Sequence, residues 1–406
     1  MRSSTRRARL LVIIVGLVVL IPKLLIASRT YGTEDIHTWT DFAQGVARRG
    51  PVGIYEIDFR QLTGGLYNHP PLMGYYLEVV NKLAQWGVPL RVTIRAVSSV
   101  ADMVSGLLVF EILRRRQSLE QSTLAAALIT ASPILFLISG YHGNTDPVFM
   151  MLVLLGCFLV LDGRTVLFGG AALALALGVK IVPIVILPVI AVYLLRHRRD
   201  LILRAAAGFL ITLAVTWGPA LVLEWNALKQ NVLGYSGISE RPWGLVRFAN
   251  YLGLPWAADF MAGPGKNALV LACALAPAIL VWHRAILVME SVALSLVAFL
   301  VFSPAFGVQY LAWAVAAACL LDVWSASFYS VLGGILLFQI YDRWNHGLPW
   351  SKMAPGLRFT PYETALGALV WLSLVVVLAR GTWLAVRRGR AGIQSDVVFE
   401  AAAVAR

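Results

Sequence analysis

The sequence predicts an all-α polytopic membrane protein of about twelve transmembrane helices, and three observations carry that prediction. Hydrophobic residues make up 59% of the chain and charged residues 14%, with a mean hydropathy of +0.75, far more apolar than a soluble globule. Apolar runs of roughly 17 to 25 residues recur along the chain, long enough to span a bilayer as helices. Arginines collect at the ends of those runs, the placement of topogenic signals. That placement also accounts for the formal charge of +13 without a nucleic-acid partner. The three cysteines, Cys157, Cys273 and Cys319, all fall inside apolar runs, so no disulfide framework is implied.

The first run, 9–27, follows Arg2, Arg6, Arg7 and Arg9 and lacks a small-residue cleavage site, so it reads as a retained anchor helix. After it comes a long polar stretch, 28–92, crowded with carboxylates, histidines and aromatics. Within that stretch the segment 70–88 is interrupted by Glu78, Asn81, Lys82 and Gln85, which predicts an amphipathic helix lying in the interface rather than a span. Further spans are predicted at 93–113, 122–139, 147–162, 165–179, 181–195, 201–222, 267–282, 286–302, 308–321, 327–342 and 364–386. With a cytoplasmic amino terminus, this count places Arg114 to Arg116, Arg164, Arg196, Arg198, Arg199, Arg284, Arg387, Arg388 and Arg390 on the cytoplasmic side. Counting 70–88 as a span would invert everything after it. Both termini are therefore expected to be cytoplasmic. The excess of arginine over lysine and the absence of any Asn-x-Ser/Thr sequon agree with a bacterial inner membrane. Two modules follow: 1–200, carrying the external loop 28–92 with its juxtamembrane amphipathic helices, and 201–406, carrying the external loop 223–266.

This topology gathers the unusual polar residues on one face. Asp35, the turn Gly140 to Asp146, Lys180, the loop 223–266 and the turn from Ser303 to Gln309 are all predicted to lie outside. A lysine between apolar runs, as Lys180 is, is costly in lipid and marks a functional position by default. The alternative for Lys180 is a side chain that snorkels from a helix end.

The order of these motifs resembles a known family. An acidic residue after the first span, then Gly50-Pro51-Val52-Gly53-Ile54-Tyr55-Glu56 and Tyr67-Asn68-His69-Pro70-Pro71-Leu72, is similar to the first external loop of GT-C integral-membrane glycosyltransferases. Gly140-Tyr141-His142-Gly143-Asn144-Thr145-Asp146 resembles the second external motif of the endoplasmic-reticulum glucosyltransferases of that class and of bacterial polyprenyl-phosphate-mannose-dependent mannosyltransferases. Lys180 with Pro183 and Pro188, and the stretch from Phe302 through Gln309 and Tyr310 to Trp313, look like later elements.

The resemblance implies a GT-C-like fold. It also implies inverting transfer of a sugar, mannose first, from a polyprenyl-phosphate carrier to a glycolipid or glycan acceptor on the extracytoplasmic face. Such chemistry needs one carboxylate to take the acceptor's proton, and Asp35 matches the family's catalytic position. No second acid is needed because the leaving group is already a phosphate, unlike in a glycosidase pair. Cations to stabilise that phosphate are needed instead. Lys180 is the first candidate, followed by Arg241 and Arg247 in the aromatic-rich outer loop, where the alternative is an interfacial belt. His142 is expected to hydrogen-bond sugar or phosphate, with Asn144 and Asp146 orienting it or else capping the next helix. His69 and Gln309 complete the substrate-binding set.

Glu34 is expected to point away from the substrate that Asp35 faces, and Asp41 reads as the polar face of a juxtamembrane helix. The resemblance implies no cofactor. A metal held by Asp35, His37 and His69 or Asp146 stays open as an alternative, without a compact ligand motif to support it. A transporter or flippase of a lipid-linked or small polar substrate is the competing class. Its site belongs near the bilayer midplane on repeat-related helices, whereas these polar residues collect at one face.

Overall fold

The computed structural model describes residues 2–59, 66–235 and 241–391. Every one of the twelve apolar segments is helical there, whole or as a broken pair of helices. Helix α1, Arg2–Arg29, leaves Leu10, Ile14, Leu17, Ile21 and Leu25 exposed. Steps of three and four put these on one face, a stripe that suits lipid rather than water.

Two amphipathic helices follow. Helix α2, Glu34–Gly53, buries Ile36, Trp39, Phe42, Ala43 and Val46. Helix α3, Leu72–Gln85, buries Met73, Leu77 and Val80 and leaves Val79 exposed, as is Trp86 just after its end. With 14 residues, α3 is about 21 Å long, too short for a hydrocarbon core of about 30 Å. The predicted interfacial helix is thus amphipathic and short.

Helix α4, Leu90–Leu113, leads to α5, Leu119–Thr130, and α6, Pro133–Leu137. Pro133 has no N–H to donate to the preceding turn, so the segment breaks before it, and Ser132 caps the restart. The chain then tightens into a π turn, Ile138–His142, closed by the Gly143 N–H on the Ile138 carbonyl at 3.3 Å. All seven residues of the predicted turn at Gly140 to Asp146 are buried, because the π turn folds them back against α1, α4 and α6.

Helices α7, Asp146–Asp162, α8, Val166–Val179, α9, Leu187–His197, and α10, Ile202–Leu223, come next. At Gly208 on α10 an added Cβ would stand 1.9 Å from the Leu167 carbonyl oxygen of α8, so this close crossing requires glycine. Helices α11, Trp225–Leu228, α12, Leu245–Tyr251, and α13, Pro255–Ala262, cross the second polar loop. Helix α13 meets α14, Lys266–Trp282, at a bend of 72°. Helices α15, Val288–Phe302, α16, Leu311–Leu321, α17, Val323–Asn345, and α18, Pro361–Ala391, complete the chain. Two short strands, β1, Gly32–Thr33, and β2, Met353–Ala354, pair in parallel with Gly32 opposite Met353.

Among the described residues six helical segments are long and apolar enough to cross a membrane, seven with the bent α13–α14 pair, and four further apolar helices are shorter. The protein is an all-α polytopic membrane protein. Every residue of α16 is buried, so this short helix is solvated by protein rather than lipid. One hydrophobic core runs from Trp39 to Ala385 and joins both halves of the chain.

Candidate active site

Asp35 sits in the first turn of α2, where the positive end of the helix dipole favours a carboxylate. The strand before it is held in two ways. Thr33 donates its hydroxyl to the His142 carbonyl at 2.9 Å, and Thr33 pairs with Ala354 across the strands. The π turn presents His142, whose Nε2 is 3.0 Å from Asp35 Oδ2. Gly143 then reverses the chain at φ 88°. A Cβ there would stand 2.2 Å from Ile36 Cδ1, so only glycine serves. The reversal delivers Asn144, whose Nδ2 donates to the same Asp35 Oδ2 at 3.3 Å and whose Oδ1 accepts from the Asp146 N–H at 3.0 Å. Asn144 thus both orients the carboxylate and caps the start of α7.

Asp35 lines a cavity of about 900 Å³, and its side chain is 37% exposed there. Burial opposes its charge, but the adjoining His142 ring, the Asn144 amide and the Lys180 charge outweigh it. The carboxyl is held below its ordinary value. Both donors use Oδ2, which leaves Oδ1 without a hydrogen bond among the described residues. Glu34 points elsewhere, toward Gly356.

The cavity draws on all five segments that the sequence placed on one face. Trp39, Asn68 and His69 come from the first loop and Asn144 from the second; Lys180, then Asn231, Tyr235 and Lys266, then Ser303 and Gln309 complete it. Lys180 ends α8 in extended conformation and pairs with the wholly buried Asp146. Its ammonium also lies 5.0 Å from the Tyr310 ring centre and 4.8 Å from that of Trp313, a cation–π setting. His69 packs against Trp39, with ring centres 4.5 Å apart and the planes tilted by 33°, and its carbonyl accepts from the Tyr55 hydroxyl at 2.6 Å. Burial first, and then the Lys180 charge, push the His69 pKa down to about 3 against the opposing pull of Asp35. This imidazole is neutral and faces the cavity as a hydrogen-bonding group.

Other predicted site residues stand apart. Arg247 is exposed and lies over the Tyr251 ring at 4.9 Å, four residues along its own helix rather than on the cavity wall. Arg241 is half-buried off that wall, although its charge reaches Lys266. Residues 236–240 of this loop lie outside the described residues. His142 and Asp146 are behind the wall, each acting on a group that lines it. His37 pairs with Asp41 at 3.4 Å, and no group of three or more His, Cys, Asp or Glu positioned to hold a metal occurs among the described residues.

Several residues escaped the sequence reading. Arg95, fully buried in α4, meets carbonyl oxygens rather than a carboxylate: Ala27 at 2.9 Å, Thr30 at 2.9 Å, Tyr31 at 3.2 Å and Tyr141 at 3.3 Å. It satisfies the unpaired end of α1 and ties it to the π turn. An arginine inside an apolar run was the signal for it. Lys266 opens α14 on the cavity wall and reaches the Tyr235 carbonyl at 3.4 Å. Tyr341 of α17 places its hydroxyl 2.9 Å from His142 Nδ1, and nothing in its sequence neighbourhood announces that.

Residues 68–222 match the family model for dolichyl-phosphate-mannose-protein mannosyltransferases. The match supports a GT-C-superfamily membrane glycosyltransferase. It spans the end of the first polar loop from Asn68, the π turn with Asn144, and Lys180, while Asp35 and α17 lie outside it. A search of curated proteins finds no match to this chain.

Proposed function

We propose that the chain transfers a sugar, mannose first among the candidates, from a polyprenyl-phosphate carrier to a hydroxyl of a lipid-linked or glycan acceptor, with inversion. The observation that carries this reading is the cavity-lining Asp35 carboxylate, whose Oδ2 is held by two donors while Oδ1 has no hydrogen bond among the described residues. In the proposed step the acceptor oxygen attacks the anomeric carbon, its proton passes to Asp35 Oδ1, and the bond from that carbon to the phosphate oxygen breaks with its electron pair leaving on phosphate. Lys180 is already compensated by Asp146, so Lys266 is the better-placed cation to meet the growing phosphate charge, with Lys180 beside it. Trp39, Trp313 and the amides of Asn68, Asn231 and Gln309 suit a sugar, which offers apolar ring faces and many hydroxyls.

The proposed setting is the bacterial inner membrane, with the cavity extracytoplasmic and both termini cytoplasmic, an orientation that the placement of the arginine clusters supports. Purified protein supplied with a radiolabelled polyprenyl-phosphate mannose and an envelope lipid extract tests the reading. Labelled product from the wild type and none from Asp35→Asn is the expected result. Uptake of label into proteoliposomes without bond formation would mark a transporter instead. Mass spectrometry of envelope glycolipids from a deletion strain identifies the acceptor.

A further inference from the structure

The carboxylate that the proposed function makes the base is reached from the far half of the chain by a single helical turn. Tyr341 and Asn345 lie one turn apart on α17. Tyr341 meets the Nδ1 of His142 at 2.9 Å, and Asn345 donates its amide to the hydroxyl of the adjoining Tyr141. The Tyr141 and Tyr341 rings pack with centres 5.0 Å apart, and Tyr341 is wholly buried. Beyond α17, strand β2 pairs with the strand that leads into Asp35.

We propose that the Tyr341 hydroxyl is a positioning group for Asp35, acting through His142 by fixing which ring nitrogen carries the proton. An ionised carboxylate only accepts, so the His142 Nε2 facing Asp35 must carry the hydrogen. A neutral imidazole then accepts at Nδ1, and the Tyr341 O–H donates to it. Without that donor, Nδ1 is left unpaired in a buried site and the opposite tautomer turns a lone pair toward Asp35. That repels the carboxylate it now steadies. The inference rests on the proposed role of Asp35. The charged and titratable groups facing that carboxylate are His142 from the π turn, Lys180 after α8, His69 before α3, Tyr235 before α12, and Tyr310 and Tyr341 from the last third of the chain.

The test is Tyr341→Phe, which keeps the ring and removes the O–H. Turnover should fall about 10- to 100-fold, the usual worth of a group that orients another functional side chain, with the KM for donor nearly unchanged. The acid limb of the rate profile should move to higher pH, because a loosened His142 no longer favours the ionised Asp35 as strongly. A structural role alone leaves that limb in place. Combined with His142→Gln, the tyrosine substitution should add no further loss; multiplying losses, or an unmoved acid limb, overturn the proposal. Where the Phe variant fails to fold, a fluorinated tyrosine at position 341 keeps the packing and donates more strongly, so the limb must move to lower pH. An inactive Asp35→Asn beside an unaffected Tyr341→Phe sinks only this inference. An active Asp35→Asn sinks the base assignment beneath it.

Discussion

His142 Nε2 stands 3.0 Å from Asp35 Oδ2, although the two residues are 107 positions apart in the chain. Both lie at backbone reversals that the local sequence sets: Asp35 just after the strand-to-helix turn at Thr33, and His142 just before the left-handed Gly143. The pair holds one carboxylate oxygen and leaves the other, in the proposed mechanism, to take the acceptor's proton. Asp35→Asn keeps the size and most of the hydrogen bonding but removes the basic oxygen, so the rate should drop by roughly two to four orders of magnitude. Donor binding should persist. Glu34→Gln, whose side chain faces the Gly356 loop, is expected to stay within a few-fold of wild type. Near-normal turnover in the Asn variant would mean that another group takes the proton.

The pH profile follows from the same pair. In its proposed role Asp35 acts as a base only when ionised, and burial, which would raise its pKa, is outweighed by His142, Asn144 and Lys180. Activity should therefore persist below the ordinary aspartate value of about 3.9 and disappear as pH falls through the depressed folded value. His69 is already neutral down to about pH 3. His69→Gln should lower kcat/KM without reshaping the profile between about pH 5 and 8, where ordinary histidines titrate. A histidine-like inflection that vanishes in this variant would contradict the assigned environment.

The sequence carried the helical class, the amphipathic α3 and the five segments that converge on the cavity, because apolar length, amphipathic period and intramembrane charge are local signals. It missed what depends on packing. Pro133 announces a break, but nothing local says that the chain re-forms as a π turn and buries His142 rather than exposing it to substrate. Lys180 was legible as a costly charge, whereas its compensation by Asp146 needs two helices placed side by side. Tyr341 is one aromatic among many until α17 is docked against the π turn.

That compensation makes the two cavity lysines behave differently. Lys266→Ala should weaken donor binding roughly 10- to 100-fold, the worth of one charged hydrogen bond, with the fold intact. Lys266→Arg should recover most of it, since a point charge is what the phosphate needs. Lys180→Ala strands the wholly buried Asp146 carboxylate, so a loss of about 3–5 kcal/mol of stability should accompany the lost activity. Lys180→Arg should be milder. Equal thermal stability of the Lys266→Ala and Lys180→Ala proteins in detergent would refute the distinction.

Orientation is open to labelling. Cys157, Cys273 and Cys319 are all buried, so engineered cysteines at exposed positions read out against a low background. A cysteine at Trp86, 80% exposed beside the first loop, should react with an impermeant maleimide from outside intact spheroplasts. One at Glu120, exposed after the Arg114 to Arg116 cluster, should react only after permeabilisation. Labelling of both from the same side is incompatible with the arginine-based topology.

A last prediction concerns the ion pair that fastens α1 to α4. Lys23 Nζ lies 2.7 Å from Asp102 Oδ2, and both side chains are only 2% exposed. Their charges sit deep inside predicted spans, where removing one partner leaves the other without compensation. Lys23→Met or Asp102→Asn alone should cost about 3–5 kcal/mol, whereas replacing both with apolar residues of similar volume should come close to neutral. The cavity is the reason to measure activity as well. Helix α1 ends at the carbonyls that Arg95 gathers beneath the Asp35 strand, so a loosened α1 should lower turnover in the single variants, and the double replacement should restore it with the stability. If the double variant is stable but inactive, the pair has a role in the reaction beyond holding the helices together.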